Sequence, residues 1–219
     1  MIKLVKIQSH LKTLTMQRLD FKKQYAGLYK ASANKINLVT VPELHYLMID
    51  GTGDPNNSKQ FQDAVEALFS LSYTIKFMIK KGEQQIDYGV MPLEGLWWTD
   101  DINNFSMDNR DEWKWTLMIM QPNFVTPSII EEAKEQVNKK KGLPLCDNLR
   151  FEIADEGLCA QILHIGPYST ESPTIVKLHE WIKDSRYKLH GKHREIYLSD
   201  MRRTAPEKLK TIIRQPVTK

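Results

Sequence analysis

The chain has 219 residues, of which 41% are hydrophobic and 26% charged, and it carries a net charge of +4. This composition is ordinary for a globular protein, and the charge is too small and too dispersed to indicate a nucleic-acid-binding surface. No apolar run approaches the roughly 18 residues that a membrane-spanning helix needs. The two cysteines, with no secretory signal, indicate reduced thiols in a cytoplasmic protein.

Residues 1–20 form an N-terminal extension that is basic and interleaved with apolar positions, with no acidic residue before Asp20. An organelle transit peptide has a similar pattern, but serines and arginines are scarce here. We therefore favour a surface helix or an ordered lead-in, followed by a single domain over residues 21–219.

The first of two similar stretches spans about residues 36–122. Ile36–Asp50 is apolar and broken at Pro42, which predicts a bent strand or a strand pair. Ser58 is a suitable N-cap for a helix that runs at helical spacing to about Lys80 and ends at Gly82. Two further strands are predicted at Ile86–Trp98 and Trp113–Gln121.

The second stretch, about residues 149–216, has the same order of elements. Phe151–Ile165 predicts a strand pair, and Ser172 followed by Pro173 predicts the start of a helix. Strands follow at Glu195–Leu198 and Thr211–Gln215, and both copies close on a Gln-Pro pair after an apolar strand. The chain is therefore a tandem repeat of strand, helix, strand and strand.

The repeat predicts an α+β fold of two layers with pseudo-twofold symmetry, with helices on one side and a ligand groove on the other. A linking helix is expected at about residues 127–141, where glutamates come early and lysines late, as the helix dipole favours. The polar insertion Thr99–Asp111 in the first copy is expected to be a loop, and it is a candidate lid over the groove.

Glu195 is the strongest candidate for a functional side chain. Side chains on a strand alternate faces, so Ile196 and Leu198 face the core while Glu195 and Tyr197 face the opposite side. A glutamate inside a strand costs free energy unless it is solvated, paired or used. The two open alternatives are a pocket carboxylate and a surface glutamate paired with a lysine or arginine. In the repeat, Tyr88 is expected at the position equivalent to Glu195.

Aromatic side chains are the second candidate feature, because rings beside a carboxylate bind cations and stack on flat ligands. Adjacent residues on a strand face opposite sides, so only one of Trp97 and Trp98 can face the groove. The candidate ligand-binding residues are Tyr46, Trp97, Trp98, Trp115, Tyr168 and Tyr197. The pair His190 and His193 has ligand-like spacing but no further ligand, so neither a metal nor a cofactor is predicted.

Four segments carry a family resemblance: Val41–Asp54, Tyr88–Trp98, Gly166–Tyr168 and Glu195–Lys210. From about Phe21 to its end, the chain resembles GyrI-like small-molecule-binding proteins. The family is similar in fold to the effector domains of multidrug-sensing transcription regulators, which hold lipophilic cations with a pocket glutamate and a ring of aromatics. Glu195 falls at the matching strand position.

The resemblance implies a stand-alone binder of lipophilic or cationic aromatic small molecules. Some members resemble hydrolases that open the cyclopropane of DNA-alkylating compounds, which makes a hydrolase the alternative. Glu195 would then be the base that positions water, and Tyr88 or Tyr197 the proton donor. A third alternative is a protein inhibitor that acts by sequestration. About 20 residues precede the repeat, too few for a helix-turn-helix, so no direct contact with nucleic acid is expected.

Overall fold

The computed structural model describes residues 16–100 and 110–219. The strands in these ranges are β1 (Gln17–Leu19), β2 (Asn37–Val41), β3 (Leu44–Thr52), β4 (Ile86–Tyr88), β5 (Leu93–Trp98), β6 (Lys114–Gln121), β7 (Arg150–Ala154), β8 (Gly157–Ile165), β9 (Lys188–Leu189), β10 (His193–Tyr197) and β11 (Lys210–Thr218). The α-helices are α1 (Phe21–Gln24), α2 (Ala26–Tyr29), α3 (Lys59–Lys81), α4 (Pro127–Lys141) and α5 (Ser172–Asp184).

The long helices begin and end where local chemistry favours it. The Ser58 hydroxyl accepts a hydrogen bond from the Phe61 amide at the start of α3, as the sequence predicts. α4 occupies the range predicted for the linking helix and ends at Gly142, whose φ of 58° suits glycine. α5 differs from the prediction, because Ser172 is its first residue and Glu171 takes the cap position without a capping hydrogen bond.

Most strands form one curled sheet in the order β2-β8-β11-β10-β5-β6-β3-β7, with β9 paired to β11 at one end. The two repeats meet where β5 pairs antiparallel with β10. Each repeat lends its first strand to the other: β2 pairs with β8, and β7 pairs with β3. The sheet and its helices confirm the predicted α+β tandem repeat.

Helices α3 and α5 cover one face of the sheet, here called the helical face. Leu178 and Ile182 of α5 pack with Ile213 of β11 in a buried cluster. Phe61 of α3 packs on Trp97 and Trp115 of the same face. The short helices α1 and α2 lie against the opposite face, here called the concave face, where Tyr29 bonds to Glu94 of β5.

The side on which Glu195 lies differs from the expectation. The sequence places it away from the helices, whereas the structure pairs Glu195 with Ile213, so both side chains lie on the helical face. The reason is that Ile196 packs on the concave face, which α1 and α2 fill with apolar side chains. Glu195 therefore lies on the same face of the sheet as α3 and α5.

Two predictions from the sequence fall mostly outside the described residues. These are the N-terminal lead-in over residues 1–20 and the candidate lid Thr99–Asp111, of which residues 1–15 and 101–109 are not described. The described end of the N-terminal extension, β1, pairs in parallel with β4 in a separate two-stranded sheet. Cys146 and Cys159 are free and buried. No described helix is long and apolar enough to cross a bilayer.

Gly51 allows close packing of β3 on β6, and its replacement tests that packing. A Cβ atom at Gly51 would overlap the ring of Trp115, which is fully buried. Gly51→Ala is therefore expected to lower the free energy of unfolding by about 1–3 kcal/mol, the usual cost of overpacking. Urea denaturation measures the change. Gly89→Ala is the control, because a Cβ atom there meets nothing within 4 Å; equal losses in both variants would contradict the prediction.

Candidate functional site

Glu195 lies in the middle of β10, between Ile213 of β11 and Gly95 of β5. Its side chain is 13% exposed, so it is largely removed from water. Gly95 leaves room beside it: a Cβ atom at Gly95 would lie 2.8 Å from the indole nitrogen of Trp97 and 3.2 Å from the hydroxyl of Tyr197. The missing side chain leaves room for these two polar groups to meet in a hydrogen bond.

A short chain of hydrogen bonds ends on the Glu195 carboxylate. The Trp97 indole N–H donates to the Tyr197 hydroxyl oxygen over 3.1 Å. The Tyr197 O–H then donates to Oε2 of Glu195 over 2.7 Å. On the other side, Nε2 of His193 lies 3.3 Å from Oε1 of Glu195. These contacts fix the carboxylate, and the Tyr197 hydroxyl supplies a donor to one of its oxygens.

A second carboxyl group, that of Glu171, faces Glu195 from the start of α5. Glu171 is only 3% exposed, and its Oε1 has no hydrogen-bond partner. Burial, and then the charge of Glu195, raise the pKa of Glu171 to about 9. Burial and the same two carboxyl groups raise the pKa of Tyr168 to about 12. A buried carboxyl group whose pKa is raised by a second carboxylate is an arrangement typical of acid–base sites.

Aromatic rings line the helical face around these carboxyl groups. The Tyr168 ring packs edge-on against Tyr197, with 5.5 Å between ring centroids. The Phe61 ring stacks on Trp97 at 6.1 Å, and Trp113 meets Trp97 edge-on at 5.5 Å. The resulting cluster, here called the carboxyl–aromatic site, consists of Glu171, Glu195, Tyr168, Tyr197 and Trp97. It can hold a flat or cationic guest against rings and a carboxylate.

Several of the residues predicted from the sequence meet in this site. Trp97, Glu195 and Tyr168 each contact Tyr197. Trp115 lies opposite Trp97 on the neighbouring strand and packs against Phe61, with 5.3 Å between centroids. Trp97, and not Trp98, is therefore the indole on the side of Glu195.

Tyr88 does not lie opposite Glu195. It belongs to β4, outside the main sheet, and packs against Phe21 and Phe124 with its hydroxyl unpaired. Burial raises its pKa. Strand pairing gives a different equivalence: Glu195 pairs with Ile213, whose counterpart Ile119 pairs with Leu93. Leu93 is thus the counterpart of Glu195, since β5 and not β4 occupies the position of β10.

Tyr46 and Trp98 also lie elsewhere. Tyr46 is buried on the concave face, where its hydroxyl accepts a hydrogen bond from Arg194 over 3.1 Å. Trp98 is half-buried, and the Lys192 ammonium lies 3.3 Å from the centroid of its ring. Alternation along β3 and β5 places both rings away from Glu195.

The sequence missed Glu171 and His193 as site residues. Glu171 stands just before Ser172-Pro173, at the predicted start of a helix. Acidic residues are common there, so the sequence gives no reason to assign Glu171 to a site. His193 shares a strand face with Glu195 and Tyr197, and alternation on β10 is the signal that could have found it. Among the described residues, no group of three or more His, Cys, Asp or Glu side chains is arranged to hold a metal ion.

The concave face carries a separate buried network of charged groups. Arg194 is 1% exposed and contacts Oε2 of Glu94 at 2.9 Å and Oε1 of Glu156 at 3.0 Å. The Tyr29 hydroxyl donates to Oε1 of Glu94 over 2.8 Å, which fastens α2 to the sheet. A depression of about 170 Å³ borders this network at Glu156 and does not include Glu195.

Known proteins of similar sequence and fold match nearly the whole chain. A family model described as a GyrI-like small molecule binding domain matches residues 34–218. An uncharacterized conserved protein from Listeria innocua is 40% identical, with a TM-score of 0.84 over 91% of this chain and 100% of its own. A hydrolase from Listeria innocua is 38% identical, with a TM-score of 0.83 over 92% of this chain and 100% of its own.

More distant structures share the fold alone. The EcmrR C-terminal domain is 16% identical, with a TM-score of 0.51 over 84% of this chain and 98% of its own. The comparison with curated proteins gave no match. Because the family model covers most of the chain and two solved structures match it over nearly its whole length, the protein belongs to the GyrI-like small molecule binding domain family.

Proposed function

We propose that the protein is a hydrolase of flat, electrophilic aromatic compounds, with a strained cyclopropane conjugated to a ring carbonyl as the substrate class. One observation carries the proposal: the largely buried carboxylate of Glu195 accepts a hydrogen bond from Tyr197, which also contacts Trp97 and Tyr168. The Listeria innocua hydrolase, 38% identical over nearly the whole chain, supports a catalytic use of this fold.

The proposed reaction needs only one base and a correctly oriented substrate from the protein. Glu195 accepts a proton from a bound water, whose oxygen forms a bond to the cyclopropane CH₂ group. The strained carbon–carbon bond breaks, and its electron pair moves through the ring to the carbonyl oxygen. That oxygen becomes a phenolate and takes a proton from solvent, while Glu195 returns its own proton to solvent. Stacking on the aromatic rings would hold the substrate flat and supply the orientation.

Tyr197 fits a positioning role better than the role of acid. Its O–H donates to Oε2 of Glu195 over 2.7 Å, so its proton already serves the carboxylate. Burial, followed by the charge of Glu195, raises the pKa of Tyr197 well above its ordinary value. Tyr88 lies outside the main sheet and has no such contact. We therefore assign the proton donor for the carbonyl to solvent.

A second candidate function is reversible binding of lipophilic aromatic cations. The observation that favours it is the carboxylate of Glu195, 13% exposed and surrounded by ring edges and faces. A cation at such a position gains attraction from both the carboxylate and the rings. The two functions share one site and differ only in whether the guest is turned over.

Turnover under substrate excess separates the two functions. The protein is incubated with an excess of a cyclopropane-containing alkylator, and the ring-opened alcohol is measured by chromatography. A hydrolase forms many molecules of product per molecule of protein. Saturable depletion of the alkylator without product supports the binder, and neither binding nor product overturns both proposals.

The aromatic wall can be tested with a permanent cation. Tyr168→Ala is expected to weaken binding of N-methylquinolinium by roughly 2- to 30-fold, because one cation–π contact contributes about 0.5–2 kcal/mol. Isothermal titration calorimetry measures the Kd. Tyr73→Ala is the control, since Tyr73 is half-exposed on α3. An unchanged Kd in Tyr168→Ala would show that this ring does not contact the guest.

A further inference from the structure

Glu171 is a buried carboxyl group that has no role in the hydrolysis proposed for Glu195. It precedes the first residue of α5, is 3% exposed, and leaves Oε1 without a hydrogen bond. The groups that face the carboxyl pair are Tyr197 and His193 of β10, Thr211 of β11, and Tyr168. The two nearest further histidines face other partners: His164 of β8 bonds to Thr174 of α5, and His179 of α5 interacts with His193. None of these described neighbours is a lysine or an arginine.

The two carboxyl groups of the pair are not equivalent. Glu195 receives the Tyr197 O–H on Oε2, and Nε2 of His193 lies 3.3 Å from its Oε1. Glu171 leaves Oε1 without a hydrogen-bond partner, and a hydrogen bond between it and Glu195 would require a proton between two acceptor groups. A negative charge is therefore better stabilised on Glu195, and the proton is better placed on Glu171.

We propose that Glu171 is a positioning residue that holds one proton at neutral pH and donates it in a hydrogen bond to Glu195. This contact would keep Glu195 charged and aimed at the guest, and it rests on the proposed function in taking Glu195 as the working carboxylate. The same contact would also make cation binding at the site depend on pH. A cation bound beside Glu195 favours loss of the Glu171 proton, so one proton is released to solvent as one cation binds, whereas a neutral guest of the same shape releases none.

Carbon-13 NMR of protein labelled at the glutamate carboxyl carbons tests the proton directly, without any guest. The proposal expects one glutamate signal to titrate with a pKa raised to about 9 and to be missing from Glu171→Gln. Glu156 is the matched control, because burial also raises its pKa but Arg194 pairs with it on the concave face. If the signal lost in Glu171→Gln titrates in the ordinary acidic range, the proposal is wrong.

Stability gives a second readout. Folded Glu171 holds a proton that the unfolded chain has already released above its ordinary pKa of about 4.3. Stability from this group is therefore complete at acidic pH and is lost as pH rises toward about 9. Each pH unit in that window lowers the folding equilibrium constant by up to about tenfold, and Glu171→Gln should remove this part of the slope. Identical slopes in the two proteins would overturn the proposal.

The positioning role itself needs a conservative comparison. Glu171→Gln keeps a neutral N–H donor toward Glu195, whereas Glu171→Leu keeps similar bulk without one. We expect Glu171→Leu to lose more activity than Glu171→Gln, and equal losses would contradict positioning. If no alkylator is turned over at all, the hydrolase proposal fails, while the NMR and stability measurements still decide the location of the proton.

Discussion

Glu195→Gln is expected to lower kcat for alkylator hydrolysis by roughly 10²- to 10⁴-fold, because it removes the group that accepts a proton from water. The amide has nearly the same shape and retains one acceptor oxygen for the Tyr197 hydroxyl, whose bond to Oε2 is 2.7 Å long. The fold should therefore persist. Steady-state kinetics with the ring-opened product as readout measures the loss.

Two comparisons make this result specific to Glu195. Glu180→Gln changes an exposed carboxylate on α5 and should leave kcat unchanged. Binding of N-methylquinolinium should also weaken in Glu195→Gln, since the charged partner of the cation is gone. Equal rates for wild type and Glu195→Gln would remove Glu195 from the mechanism, even if the protein proves to be a hydrolase.

Arg194→Met is expected to destabilise the fold by about 3–5 kcal/mol, as removal of one partner from a buried ion pair usually does. Arg194 is 1% exposed and contacts both Glu94 and Glu156. Its loss would leave two buried carboxylates without their cation, and Tyr46 without its hydrogen-bond donor. Urea denaturation at neutral pH measures the change.

A control variant and a rescue variant test whether unpaired buried charge causes the loss of stability in Arg194→Met. Arg202→Met replaces an arginine that is highly exposed and should change stability by less than about 0.5 kcal/mol. Adding Glu94→Gln and Glu156→Gln to Arg194→Met removes the unpaired charges and should restore part of the lost stability. A triple variant less stable than Arg194→Met would show that charge burial is not the main cost.

Much of the architecture can be predicted from local pattern. The Gln-Pro pairs at the end of β6 and within β11 reveal the repeat, and Ser58 marks the start of α3 where the structure has it. Alternation on β10 correctly places Tyr197 beside Glu195. These features are readable because each depends on neighbours within a few residues in the chain.

Other features depend on contacts between distant segments. Tyr88 pairs into a two-stranded sheet because β1 reaches it from the N-terminal extension, and no pattern near Tyr88 signals that partner. Glu171 faces Glu195 only because α5 begins at the right place above β10. Arg194 lies on the face that alternation assigns to an apolar core, so its two buried carboxylate partners could not be anticipated.

The exchange of first strands gives the protein the topology of two interlocked subunits joined in one polypeptide, with α4 as the tether. The block β5-β6-β3 ends on β7 from the second repeat, and the block β10-β11-β8 ends on β2 from the first. Neither repeat can detach without exposing an unpaired strand edge in the other. Trp97 comes from one repeat and Glu195 from the other, so the site forms only while β5 and β10 remain paired.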